Sequence, residues 1–84
     1  MDRKIVVGGL YKHFKGFRAY VLNIAKHTET GETLVVYECL GKGVNGDHED
    51  GIYARPLEMF MSEVDREKYP DVKQKYRFEF IIKQ

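Results

Sequence analysis

Two glycines in polar breaks, Gly16 and Gly31, bracket the extended stretch "FRAYVLNIAKH" at residues 17–27, and they leave the chain little choice of architecture. Glycine accepts the positive φ of a tight reversal. Lys15-Gly16 therefore reads as a turn, and "HTETGET" as a hairpin loop with Gly31 in its left-handed position. Between the turns the side chains alternate with period two: Tyr20, Leu22 and Ile24 on one face, Ala19, Val21 and Ala25 on the other. The next segment, "TLVVYECL", sets Leu34, Val36, Glu38 and Leu40 against Val35, Tyr37 and Cys39. Apolar groups on both faces are expected of strands that bend across a small barrel.

The flanking segments complete a layout. A charged lead ends in Ile5, Val6 and Val7, a short strand or ordered arm, and residues 10–14 form the first full strand. After the hairpin come a loop at residues 41–51 holding four glycines and a short strand at 52–55. Pro56 stands at the first helical position, and Leu57, Phe60, Met61 and Val64 form one apolar stripe, so "PLEMFMSEV" reads as a short amphipathic helix. Residues 71–75 are expected to hold another helical turn. Tyr76, Phe78, Phe80 and Ile82 then alternate with Arg77, Glu79, Ile81 and Lys83 as a half-buried strand. The expected fold is mainly β: one domain over residues 1–84, an SH3-like five-stranded barrel with one short helix before the last strand.

Composition bounds the function. With 43% hydrophobic and 32% charged residues the chain reads as globular. At 84 residues it buries only slightly more than about 60% of its unfolded surface, so nearly every large side chain must serve one core. Formal net charge is +1, but residues 1–27 carry +5, residues 28–65 carry −7 and residues 66–84 carry +3. Pairing of these blocks within the fold is the reading that antiparallel strands favour; a basic face is the alternative. Cys39, the one cysteine, forbids an intrachain disulfide and points to a reducing compartment. The absence of a signal-peptide h-region and of a long apolar run fits a cytoplasmic protein without membrane attachment.

No motif supplies a catalytic or cofactor signature. "GKGVNG" lacks the spacing and the Lys-Ser/Thr ending of a phosphate-binding loop. "GDHEDG" gathers Asp47, His48, Glu49 and Asp50, but neighbours in a loop seldom converge on one ion, so no metal or cofactor is expected. His13 and His27 each sit near a turn beside cations. Glu29 could orient one of them, with Thr28 or Thr30 as nucleophile, if all came within hydrogen-bond reach. The structural alternative is that Thr28 and Thr30 cap the hairpin turn while His27 packs at the strand end. The run Tyr11, Lys12, His13, Phe14, Lys15, Phe17, Arg18 and Tyr20 interleaves cations and rings as a nucleic-acid platform does, yet Tyr20 and Phe14 are wanted for the core. Arg55, held extended before Pro56, is expected to point outward from its strand end.

Taken together, "GGLYKHFKG", "YVLNIAKHTET", "LVVY", "IYARPLEMF" and "KYPDVKQKYRFEFI" resemble a bacterial family of unknown function, the domain of unknown function family 1653, over residues 7–82. The resemblance implies an SH3-like barrel and no established activity. It marks Tyr11, His13, Lys15, Gly16, His27, Thr28, Glu29, Thr30, Tyr37, Arg55 and Pro56 as pattern positions. Tyr53 stands where many members carry Trp, and the 41–51 loop is long for the family.

The expected function is a non-enzymatic binding module for a polar or anionic ligand. Its candidate residues are His13, Lys15, His27, Thr28, Glu29, Thr30 and Arg55, gathered at one end of the barrel. An RNA-binding barrel and a small hydrolase or transferase using His13 or His27 with Glu29 are the alternatives.

Overall fold

The computed structural model describes residues 4–41 and 49–83. Five strands, β1 (Gly9–His13), β2 (Arg18–Lys26), β3 (Thr33–Leu40), β4 (Gly51–Pro56) and β5 (Phe78–Lys83), form one antiparallel sheet in the order β4-β3-β2-β1-β5. One helix, α1 (Leu57–Phe60), lies before the last strand. The mainly β expectation holds. Among the described residues β4 and β5 do not pair with each other, so the sheet is not closed and is a barrel only in a loose sense.

It is nonetheless strongly curled. On a flat sheet β3 and β5 would lie about 14 Å apart, three spacings of about 4.8 Å. Their side chains Tyr37 and Phe78 instead bring ring centroids to 5.7 Å. Two bulges supply much of the bend: the register slips between Val21 and Asn23 on β2 and between Leu10 and Tyr11 where β1 meets β5.

Both turns form as the glycines dictate. Gly16 (φ 104°) and Gly31 (φ 74°) take the left-handed region, and the Gly31 N–H donates to the His27 carbonyl at 2.9 Å. Residues 4–8 are an ordered arm rather than a strand: the Gly8 N–H reaches the Val21 carbonyl at 2.8 Å, and the Val6 N–H donates to the Tyr11 hydroxyl at 3.0 Å.

Phe60 fills the concavity. It is fully buried, stacked on Phe78 at 4.0 Å and edge-on to Tyr11 at 5.3 Å, with Tyr37 at 5.5 Å. The apolar stripe works as read, with Phe60 and Val64 buried and Leu57 and Met61 packed against the core. The helix is shorter than expected, one turn, and Pro56 precedes it as an extended residue (φ −53°, ψ 137°).

Three other expectations are corrected. Residues 71–75 form no helix; a turn in which the Val72 N–H donates to the Tyr69 carbonyl at 3.3 Å leads to a bend at Lys75, whose carbonyl accepts the Val64 N–H at 2.9 Å. Tyr20 is outside the core, because Ala19 and Val21 face inward and Leu22 is the bulge residue that shifts the phase and turns Ile24 toward the core. In β5 only Phe78 is buried; Phe80 keeps its ring edge-on to the core residue Tyr11 at 5.5 Å but is half exposed, and Ile82 is exposed.

Phe60→Ala should cost about 3–5 kcal/mol, as an aromatic truncated in a packed core does. Gly31→Ala should cost about 1 kcal/mol from backbone strain alone, since a Cβ there meets nothing within 4 Å. Chemical denaturation of both variants measures these costs; an equal loss would contradict the assignment of core and turn.

Candidate functional site

His13 ends β1 and is buried, 3% exposed. Its ring stacks on Phe17 at 4.3 Å, meets the Phe78 ring edge at 4.7 Å, and lies 4.5 Å from Phe14. Nδ1 accepts the Lys15 N–H at 3.1 Å while the His13 N–H donates to the Phe17 carbonyl at 2.9 Å. The imidazole therefore closes the β1–β2 turn from inside the core. The Lys15 ammonium sits over the Tyr69 ring, 5.5 Å from its centroid, and Phe14 packs edge-on against the same ring at 4.9 Å.

His27 acts in the same way at the other end of β2. Its Nδ1 accepts the N–H groups of Glu29 (3.1 Å) and Thr30 (3.3 Å), and Thr30 Oγ1 accepts the Glu32 N–H at 3.2 Å. The hairpin is thus capped by His27 and Thr30, while the Thr28 and Glu29 side chains stand exposed. The nine residues of β2 separate the two turns, on the order of 25 Å at a rise of about 3.3 Å per residue. The two imidazoles do not share a site, so the candidate residues of the two turns are not gathered at one end of the sheet.

Arg55 does join His13. Strand β4 alternates, with Tyr53 and Arg55 half-buried on the inner face and Ile52 and Ala54 exposed. The extended backbone before Pro56 is as expected, but the outward direction is not: the guanidinium lies over the Phe78 ring, 5.4 Å from its centroid. Phe78 is thus shared by His13 and Arg55, from strands three places apart in the sheet. Arg55 also hydrogen-bonds Tyr37, whose phenol is raised above its ordinary value by burial, with the guanidinium pulling it partly back. Among the described residues, Arg55 Nη1 is buried and has no hydrogen-bond partner. Tyr53 adds a ring 6.0 Å from Tyr37, its hydroxyl donating to the Glu49 carbonyl at 2.8 Å. The period-two pattern of β4 was the available signal for this inward group of Tyr37, Tyr53 and Arg55.

A separate open groove of about 330 Å³ lies between the hairpin and the start of α1, lined by Gly31, Glu32, Thr33, Pro56, Leu57 and Glu58. Its two carboxylates oppose an anionic occupant. Of the acidic loop run, Asp47 and His48 lie outside the described residues; Asp50 accepts the Gly41 N–H at 3.0 Å. Cys39 is buried, and burial raises its thiol, with the Asp50 carboxylate adding to the effect.

The basic aromatic run is divided between two faces. Tyr11, His13 and Phe17 go to the core. Lys12 and Arg18 are directly opposed across β1 and β2, one row from the Leu10–Tyr20 pair, so Tyr20 is the ring beside these cations on the outer face. Lys12 also faces Glu79, an acid within the basic terminal block, whereas Arg18 and Lys26 face Leu40 and Thr33, so these cations do not pair with the acidic middle block across the sheet.

The fold and this inner cluster define a small curled-sheet domain with one arginine set among aromatic rings. The model of a family described as protein of unknown function (DUF1653) matches residues 9–80, and the chain belongs to that family. No curated protein and no solved structure matches it.

Both raised groups are neutral acids in the fold that ionise more readily once unfolded. Stability is therefore full below their ordinary values, 9.0 for Cys39 and 10.0 for Tyr37, and falls as pH rises through and above them. Thermal melts from pH 7 to 11 should show this decline, and Cys39→Ala should flatten its first part. The native thiol should resist an aromatic disulfide reagent that labels it at once in denaturant; fast native labelling would contradict its burial.

Proposed function

We propose that this chain is a non-enzymatic binding module for a small anionic group, taken up at Arg55. The observation that carries the reading is the buried Nη1, which has no acceptor among the described residues. A buried donor left unpaired costs roughly 1–3 kcal/mol, and a carboxylate or phosphate oxygen would remove that cost. The planar guanidinium suits such groups geometrically, and the rings of Tyr37, Tyr53 and Phe78 lower the local polarity, which strengthens the attraction. His13 and Lys15 support the cluster from the β1–β2 turn, whereas His27, Thr28, Glu29 and Thr30 belong to the distant hairpin and leave the site. A reducing, cytoplasmic setting fits a buried thiol at Cys39.

The RNA-binding alternative would use the outer face of Lys12, Arg18 and Tyr20. A single ring beside two cations is a thin stacking platform, which is why the inner site is preferred.

The test is a thermal-shift series at constant ionic strength with inorganic phosphate, acetate and citrate, alongside a short single-stranded RNA at two salt concentrations. At least one anion should raise the melting temperature of the wild type, by the equivalent of about 1.4 kcal/mol at ten times its dissociation constant. Arg55→Met should abolish that shift and, having removed an unpaired buried donor, should be at least as stable as the unliganded wild type. Arg55→Lys should weaken the shift. An anion response that survives Arg55→Met, or steeply salt-dependent RNA binding with no anion response, would sink the proposal.

A further inference from the structure

We infer that the free edge of β5 pairs with the same strand of a second copy, joining two sheets into one across a two-fold axis at Ile81. Strand β5 is bonded to β1 on one side, and among the described residues no strand covers its other side. An uncovered edge presents backbone donors and acceptors ready for another strand. This edge is also apolar: Phe80, Ile81 and Ile82 are 48%, 44% and 54% exposed. Ile81 is the additional residue of the bulge and has no register partner on β1.

The sequence "EFIIK" selects one register. Antiparallel pairing of two such strands about Ile81 places Glu79 opposite Lys83 at both ends, Phe80 opposite Ile82 twice, and Ile81 opposite itself. Shifting the centre by one residue either way sets charge against an apolar side chain. The contact is isologous, so it closes at a dimer. The paired residues Glu79–Lys83 follow Phe78, the β5 residue that touches Arg55, so the anion site and the pairing edge use different residues of the strand.

Position 81 offers a direct test, because only this register brings it against its own copy. Sedimentation velocity on the full chain, from micromolar to millimolar concentration, should show wild-type monomer and dimer in exchange. Ile81→Glu and Ile81→Lys should each shift the protein to monomer by like-charge repulsion at the axis, while circular dichroism and melting temperature stay near wild type because the side chain is partly exposed. Mixing the two variants in equal amounts should restore the dimer. A wild type that remains monomeric throughout would overturn the inference. So would single variants that dimerise as readily as wild type, or a mixture that stays monomeric.

Discussion

The ring of Phe78 is the point through which this small fold is held together. It lies stacked on Phe60 of the helix, with His13 from β1, Phe17 from the following turn and Tyr37 from β3 around it and the Arg55 guanidinium of β4 over it. Among the described residues no ladder closes the two edges of the sheet, so side-chain contact between distant strands must do so. Each aromatic pair is worth about 0.5–1.5 kcal/mol beyond its buried area, and four ring partners together with the Arg55 guanidinium tie β1, β3, β4 and α1 to the last strand. The curl follows, since a flatter sheet would draw these groups apart.

That dependence explains the histidines. Both look in isolation like reactive groups near flexible turns, and both serve as acceptors that satisfy backbone N–H groups as the chain reverses. A ring nitrogen can do this for residues two and three positions on, as an aspartate or asparagine carboxamide often does, while adding a flat surface for packing. His13 uses that surface against Phe17; His27, at an exposed tip, has less to pack against. Arg55 differs because its surroundings supply a ring and a phenol but leave one buried nitrogen without an acceptor.

Much of the strand layout was legible in the residues. The turns at Gly16 and Gly31, the order of five strands, the apolar stripe of Leu57, Phe60, Met61 and Val64, and the burial of Cys39 all follow from local patterns. The errors about which side chains face inward have one common cause. Alternation reveals which residues share a face but not where an extra residue resets the phase, so the Leu22 and Ile81 bulges were invisible, and with them the outward turn of Tyr20. The inward direction of Arg55 depends on the phase of β4 relative to a core that only the assembled sheet defines. Separation of the two histidine turns was in principle readable from the length of the strand between them. The expectation that they converge overlooked that a hairpin's successive turns lie at opposite ends.

The pairing of β1 with β5 also bears on how the chain reaches this state. Strands β1 to β3 are neighbours along the chain and can zip together through short reversals, whereas His13 meets Phe78 only after everything between them has been brought round. Closing so long a loop has an entropic cost that is recovered only when the contact forms. Because Phe60 and Arg55 also depend on Phe78, the inner face remains incomplete until that late step, and a meander without β5 would have the sheet's connectivity but not its interior.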